Sequence, residues 1–101
     1  MNIDNIGVVI ATRSIALLGD TQAVTVTIGT PQAFSDGKDY YCPYQIIGIG
    51  DERIRYASGV DTIQALFLAL KKIGSVLHSS DPARAGSLTW LGNSDLGFPM
   101  A

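Results

Sequence analysis

The chain has 101 residues, of which 47% are hydrophobic and 16% are charged, and its formal charge is −2. This length leaves room for one domain with one core, and the composition excludes an intrinsically disordered chain. Seven basic against nine acidic side chains provide no surplus of positive charge for a polyanion, so the sequence predicts no nucleic-acid partner.

Nothing in the sequence indicates a membrane or a secreted location. The apolar run Ile6–Ala11 is far shorter than the roughly 18 apolar residues that a membrane helix needs. Arg13 interrupts the apolar segment where a signal peptide would continue. The single cysteine, Cys42, cannot form an internal disulfide. We therefore expect a cytoplasmic protein with no membrane partner.

Alternation of apolar and polar residues in the first half of the chain predicts four strands. They are expected at residues 8–18, 23–28, 40–49 and 53–57. Gly19-Asp20 is typical of the turn of a first hairpin, and residues 29–39 predict a longer surface connection. Pro43 lies near the start of the third strand, where a missing N–H is tolerated on an edge or at a bulge.

A long helix follows the strands. Asp61 is a good N-cap, and Gln64 stands at the third helical position of a capping box. The helix is expected to end near His78, with Lys71 and Lys72 on its solvated side. Its predicted apolar stripe consists of Ile63, Leu66, Phe67, Leu70, Ile73, Gly74 and Leu77.

One helix, about 10 Å wide, cannot cover a sheet of four strands that is roughly 14–19 Å across. After a linker at 79–87 and a short strand at 88–91, the tail must supply the missing cover, or a second subunit must do so. The expected tail residues are Leu88, Trp90, Leu91, Leu96 and Phe98. The oligomeric state therefore stays open between monomer and homodimer.

The predicted fold is α+β: an antiparallel four-stranded meander sheet with one long helix on one face and a C-terminal segment completing the core. Residues 1–101 form a single domain in this interpretation. Residues 1–9 are expected to be a loose N-terminal extension, and residues 88–101 to pack on the core.

The sequence predicts no catalytic residue, no metal site and no cofactor. Cys42 is the one candidate nucleophile and His78 the one histidine, but they lie on different predicted elements without a third orienting group. We interpret Cys42 as a buried, inert thiol and His78 as a side chain that interacts with the C-terminal dipole of the helix. One cysteine and one histidine cannot supply the three or four ligands of a zinc site.

The candidate binding site consists of residues on the third and fourth strands: Tyr40, Tyr41, Tyr44, Arg53 and Arg55. Tyrosine and arginine are enriched at binding hot spots because they combine a large contact area with a polar tip. If these strands form a hairpin, Tyr44 and an arginine share the helix-free face of the sheet beside Thr25 and Thr27. A solvated sheet face with cross-strand pairs is the competing interpretation, and both stay open.

Several short motifs occur in the same order as in a known protein family. They are Cys42-Pro-Tyr-Gln-Ile46, Gly50-Asp-Glu52, Tyr56-Ala57, Gly59-Val-Asp61, Gln64-Ala-Leu66, Leu88-Thr-Trp-Leu-Gly92 and Asp95-Leu-Gly-Phe-Pro99. With these motifs, residues 10–99 resemble a family of short, functionally uncharacterised bacterial proteins, and residues 1–9 lie outside the resemblance. It implies a bacterial origin and one intact domain, and it supplies no activity, ligand or catalytic residue.

Small size, low charge and the lack of catalytic groups favour a protein-interaction module, immunity-like or regulatory, whose partner is another bacterial protein. The alternative is a small-molecule binder or an enzyme with a pocket between the sheet and the C-terminal tail. A ligand-dependent rise in melting temperature distinguishes this alternative, because a ligand that binds only the native state stabilises it.

Overall fold

The computed structural model describes residues 3–17 and 23–99. Its elements in chain order are β1 (Val9–Leu17), β2 (Ala23–Gly29), β3 (Gln32–Ala33), β4 (Tyr40–Ile47), β5 (Arg55–Gly59), α1 (Thr62–His78), α2 (Asp81–Arg84) and β6 (Leu88–Thr89). The expected Gly19-Asp20 turn lies outside the described residues. The predicted α+β fold, with an antiparallel sheet and one long helix, is confirmed.

The four long strands form the predicted meander. β1 pairs with β2, β2 with β4, and β4 with β5, and each pair is antiparallel. Two short strands enlarge the sheet: β3 pairs with the start of β4, and β6 adds to the outer side of β1. β3 lies within the connection that the sequence indicated at 29–39, and α2 lies within the expected linker. Both elements are too short to leave a periodic pattern in the sequence.

Pro43 lies inside β4, an internal strand, where proline is normally excluded because it cannot donate to a neighbouring strand. β2 pairs with β4 as far as Ile28 opposite Tyr44, and β3 resumes with Gln32 opposite Tyr41. Pro43 thus faces the interruption between β2 and β3, where no sheet hydrogen bond needs its nitrogen. The expectation of an edge strand or a bulge is corrected to a gap between two neighbouring strands.

The chain before β1 lies against the helix-free face of the sheet. A Cβ on Gly29 would overlap the carbonyl oxygen of Ile6 and lie 2.9 Å from Cγ of Pro43. The backbone N–H of Thr30 donates to the carbonyl of Val8 at 2.8 Å. Gly29 therefore allows the N-terminal segment to approach the sheet closely, while the prediction of a loose extension over 1–9 stays a prediction.

The N-terminus of α1 is capped as the sequence predicted. The side chain of Asp61 accepts a hydrogen bond from the N–H of Gln64 at 2.7 Å. Gln64 Oε1 in turn accepts from the N–H of Val60 at 2.8 Å, one residue before the cap. Two N–H groups at the junction between β5 and α1 are thus satisfied, and this makes the start of the helix sharp.

The buried face of α1 is rotated from the predicted stripe. Its buried residues are Ala65, Ala69, Ile73, Gly74 and Leu77. Ile63 is 78% exposed and Phe67 is 50% exposed, so the prediction is wrong at these two positions. Small side chains occupy the line of closest approach: the backbone nitrogen of Ala65 lies 2.6 Å from where a Cβ on Gly59 would stand. Larger side chains at that line would hold the helix away from the sheet.

The C-terminal segment folds back and completes the core, as predicted. Leu88, Leu96 and Phe98 are 2%, 1% and 8% exposed. Phe98 packs against α1 at Gly74, where an added Cβ would lie 3.1 Å from Cβ of Phe98. Leu91 is 81% exposed at a backbone φ of 52°, so its predicted place in the core is wrong. It occupies a turn that aims the side chain at solvent.

Arg13 of β1 holds this segment in place. One guanidinium nitrogen, Nη1, donates to the carbonyls of Leu96 and Gly97, both at 3.1 Å. The guanidinium carbon lies 3.8 Å from the centroid of the Trp90 ring and 5.0 Å from that of Phe98. Gly97 has a φ of +79°, and a Cβ there would stand 2.5 Å from the Trp90 ring. We call Arg13, Trp90, Gly97 and Phe98 the arginine clasp.

Candidate functional site

Successive side chains of β4 point to opposite faces of the sheet, and this decides which candidate residues face α1. Cys42 and Tyr44 lie on the core face, and Tyr44 is only 3% exposed. The prediction that Tyr44 shares the helix-free face with Thr25 and Thr27 is therefore wrong. Its partner across β2 is the buried Ile28, and a shift by one residue would turn the whole apolar set of β4 towards solvent.

The five predicted site residues separate into two groups. Arg55 pairs with Tyr44 in the sheet register and is half-buried, and Arg53, in the turn before β5, has a side chain that is 71% exposed. These three residues line one groove. Tyr40 packs against the core on the same face as Tyr44, and Tyr41 points to the opposite face. The structure thus unites Tyr44 with both arginines and places the other two tyrosines elsewhere.

A groove of about 1180 Å³, which we call the edge groove, lies between β5 and the flank of α1. It is lined by residues 53–58, by the α1 residues Leu68, Lys71, Lys72, Ser75 and Val76, and by Tyr44, Ile3 and Asp4. Its position differs from that of the pocket expected between the sheet and the tail. There, Leu96 and Phe98 fill the space as part of the core.

The floor of the edge groove is the outer side of β5. Within the described residues, β5 pairs only with β4. Nζ of Lys72 donates to the carbonyl of Tyr56 at 3.4 Å, so this carbonyl points away from β4. Tyr56 stands opposite Pro43 in a pair that exchanges no backbone hydrogen bonds, since the Pro43 nitrogen faces the gap between β2 and β3. Because backbone groups alternate along an antiparallel strand, the N–H and C=O of Ser58 also point into the groove.

A short ion-pair cluster shapes one end of the edge groove. Asp51 Oδ2 lies 3.1 Å from Nε of Arg53 and 3.8 Å from a terminal nitrogen of Arg55. The backbone N–H of Gly48 donates to a carboxylate oxygen of Glu52 at 3.0 Å, and Nε2 of Gln45 donates to the Glu52 carbonyl at 2.7 Å. These bonds fix the turn between β4 and β5, and they hold the arginines beside the groove.

Three aromatic rings lie together on the helix-free side of β5. The centroid of Tyr41 is 5.1 Å from that of Phe34 and 6.1 Å from that of Tyr56. The rings of Phe34 and Tyr56 meet edge to face at 6.0 Å. Sequence reasoning missed Phe34 and Tyr56 as part of this cluster. The sequence did contain a signal for it: alternation along the two strands of the predicted hairpin can place the side chains of Tyr41 and Tyr56 on the same face of the sheet.

Sequence reasoning also missed the lysines of the groove. Lys71 and Lys72 were interpreted as the solvated side of the helix, and both in fact line the groove beside β5. The rotation of α1 accounts for the difference, because it brings this flank of the helix to the sheet edge. The periodicity of a helix shows which residues share a face, but the rotation of the helix about its own axis is set by its packing on the sheet.

The buried ionisable groups of β4 are poorly suited to chemistry at neutral pH. Burial raises the pKa of the Cys42 thiol to about 11. Its sulfur lies 3.7 Å from the carbonyl oxygen of Gly29, inside the core. Burial also raises the pKa of Tyr44, while the nearby charges of Arg55 and Arg53 lower it in part. A reactive thiolate needs the opposite environment, so this thiol is not activated.

Residues 3–17 and 23–99 contain neither a metal-binding cluster nor a membrane-spanning helix. No group of three or more His, Cys, Asp or Glu side chains in these ranges is placed to hold a metal ion. No helix in the same part of the chain is long and apolar enough to cross a membrane.

A comparison with known proteins identifies the family of this chain. The family model of a domain of unknown function, DUF6968, matches residues 11–100. The chain belongs to this family. No curated protein and no solved structure matches the chain. The predicted membership of a functionally uncharacterised family is thereby confirmed.

The matched span covers most of the edge groove and the whole arginine clasp. β5, α1 and the C-terminal segment all fall within residues 11–100. Ile3 and Asp4, which line the far side of the groove, lie before the span. Most of the edge groove and the whole arginine clasp therefore lie within the part of the chain that the family model matches.

Proposed function

We propose that this protein is a protein-interaction module that binds an extended segment of a partner along the outer side of β5. The partner would be another bacterial protein in the cytoplasm, in an immunity-like or regulatory relationship. The observation that carries the proposal is the β5 edge, whose Tyr56 carbonyl points into a long groove flanked by α1. An added strand satisfies such backbone groups and places its side chains in contact with the neighbouring helix.

The dimensions of the groove support this mode of binding. Residues 53–58 line it continuously, and six residues of extended chain span about 20 Å. A segment of similar length can therefore lie along the whole floor. Open edges of this kind are usually protected by charged side chains, and Lys72 protects this one by binding the Tyr56 carbonyl.

The small-molecule alternative has less support from the geometry. Drug-sized ligands occupy pockets of about 300–1,000 Å³ that enclose most of the ligand surface. The edge groove has a volume of about 1180 Å³ and runs along the surface between a strand edge and a helix. A linear polymer fits this shape better than a compact metabolite.

The decisive experiment uses a pair of substitutions at Ser58. Ser58→Pro removes the N–H that points into the groove, and an edge position tolerates proline because the sheet does not use that N–H. Ser58→Ala keeps the N–H and removes the hydroxyl. Peptides selected from a random library on the wild-type protein should bind Ser58→Ala normally and lose most of their affinity for Ser58→Pro.

A second measurement does not depend on how the proline variant folds. In the wild-type protein, a bound peptide strand should slow amide hydrogen exchange at Tyr56 and Ser58 more than at the inward-facing Ala57, which is already bonded to β4. Unchanged exchange at both positions in the presence of saturating peptide would refute strand addition. Equal binding by a folded Ser58→Pro variant would do the same.

A further inference from the structure

The edge groove concentrates positive charge on a protein that is acidic as a whole. Four of its lining residues are basic, namely Arg53, Arg55, Lys71 and Lys72, and one lining residue, Asp4, is acidic. Asp51 at the end of the groove pairs with both arginines, so the groove keeps a positive excess chiefly through the two lysines. The complete chain has seven basic residues against nine acidic ones. More than half of the basic residues of the chain therefore line one groove, although the chain as a whole has a net negative charge.

The charges and the aromatic rings lie on different sides of β5. Arg55 faces the side that α1 covers, where Lys71 and Lys72 stand on the helix wall. The Tyr56 ring faces the other side, within 6.1 Å of the Tyr41 ring. Because side chains alternate along a strand, a strand added beside β5 presents every second residue to the basic side and the residues between to the aromatic side.

We propose that the segment recognised by the edge groove is an acidic strand of a partner protein. Its carboxylates occupy alternate positions and face Arg55, Lys71 and Lys72, and the apolar side chains between them face Tyr56. This inference rests on the strand addition proposed above. Carboxylates beside ammonium or guanidinium groups form charge-assisted hydrogen bonds, and complementary charge speeds association.

Lys72 makes access to the β5 edge depend on the charge of the partner, because its ammonium group covers a backbone carbonyl of that edge. Its Nζ is 3.4 Å from the Tyr56 carbonyl, a long hydrogen bond that occupies the acceptor needed by an incoming N–H. A carboxylate on the incoming strand is a stronger partner for the ammonium group than this carbonyl. The acidic segment thus withdraws Lys72 and frees the carbonyl for pairing, whereas a basic segment does neither.

A second copy of this chain is a poor occupant of the same groove. Edge-to-edge pairing of two β5 strands would bring together two grooves that each carry Arg53, Arg55, Lys71 and Lys72. Two surfaces of like charge repel each other when they are brought into contact. The basic groove therefore favours a partner of opposite charge over self-association.

The experiment measures fluorescence anisotropy with three short synthetic peptides, each as long as residues 53–58. One alternates Glu and Val, one has the same composition in two blocks, and one alternates Lys and Val. The alternating acidic peptide should bind at least about tenfold more tightly than the block peptide, and the basic peptide should not bind. Because the block peptide has the same total charge as the alternating acidic peptide, a difference in affinity between them measures the effect of alternation alone.

Charge reversal supplies the matched variants. Lys71→Glu should weaken binding of the alternating acidic peptide by about tenfold or more and permit binding of the alternating basic peptide. Lys38→Glu makes the same change of charge in the exposed turn between β3 and β4, outside the lining of the groove, and should leave both affinities unchanged. Equal losses in the two variants would overturn the inference, because they would reflect total protein charge.

The remaining outcomes separate the inference from the proposed function. Equal binding of acidic and basic peptides, with both lost in Ser58→Pro, would overturn acidic selection and leave strand addition in place. Acidic binding that persists in Ser58→Pro would overturn strand addition. Tighter binding of an oligothymidylate than of any peptide would overturn both, as would binding of none of these probes. Self-association of the wild type that is lost in Ser58→Pro would assign the edge to a second copy and overturn the acidic partner.

Discussion

The two ends of the sheet are covered to different extents. At the β1 end, β6 adds a strand and the arginine clasp binds the C-terminal segment through two hydrogen bonds to Nη1 of Arg13. At the β5 end, Lys72 covers the edge with one long hydrogen bond, and a groove remains open. The β1 end, the closed end, is covered by its own chain, and the β5 end, the open end, is the edge at which we propose that a partner binds. The contrast shows how a small domain with little charge can keep one exposed strand edge.

The largest expected effect follows from removal of the closed end. Deletion of residues 88–101 removes Leu88, Leu96 and Phe98 from the core and exposes the apolar side chains of β1 and β2. We expect loss of cooperative unfolding, measured by circular dichroism or calorimetry. A truncated protein that still melts sharply at the original temperature would contradict the role of this segment.

Substitution of Arg13 tests the clasp more finely. Arg13→Ala removes two hydrogen bonds from a charged donor and the stacking on Trp90, and it should lower the free energy of unfolding by about 2–4 kcal/mol. Arg13→Lys should recover only part of this loss, because an ammonium group lacks the planar face and fork of a guanidinium. Chemical denaturation measures both effects.

Arg53→Ala is the matched control from the open end. It removes an exposed arginine whose ion pair with Asp51 is worth less than about 1 kcal/mol. Its free energy of unfolding should therefore stay close to that of the wild type, while peptide binding weakens. If Arg53→Ala and Arg13→Ala destabilised the protein equally, the distinction between the two ends would be lost.

The last expected effect is confined to alkaline pH and concerns the core between the two ends. The pKa of Cys42 rises from an ordinary 9.0 to about 11 in the folded protein. Between these values the unfolded chain has lost the thiol proton and the folded chain keeps it, so rising pH favours unfolding. Stability from this group is complete below pH 9.0 and declines towards pH 11.

Thermal melts at several alkaline pH values measure this decline. Cys42→Ala should flatten the decline, and Tyr44→Phe should remove the part due to Tyr44, whose pKa is also raised by burial. A decline that is unchanged in both variants would show that other groups are responsible. Native Cys42 should also resist thiol reagents at neutral pH, because the buried thiol stays protonated.

The sequence predicted the elements better than the surfaces. Asp61 and Gln64 specify the start of α1 through bonds within a few residues, and the alternating strands pair in their predicted order. Arg13 and the carbonyl of Leu96 are separated by 83 residues, so no local pattern reveals the clasp. Tyr44 was misplaced because tyrosine suits either face of a sheet. Tyr44 lies two residues after Cys42 and pairs with the buried Ile28, and these two relations place its side chain on the core face.

Hydrogen bonding and periodicity over a few residues were enough to determine that this chain forms a helix from Thr62 to His78 beside an antiparallel meander. The widths of helix and sheet added that one helix cannot cover the sheet, and left the tail and a second subunit as the two possible covers. The tertiary structure alone decided which flank of the helix meets the sheet, and therefore that Lys71 and Lys72 stand beside the outer edge of β5. The physical reason is the range of the interactions. A helix or strand pattern is set by near neighbours, whereas helix rotation and edge exposure depend on packing between segments that are distant in the chain.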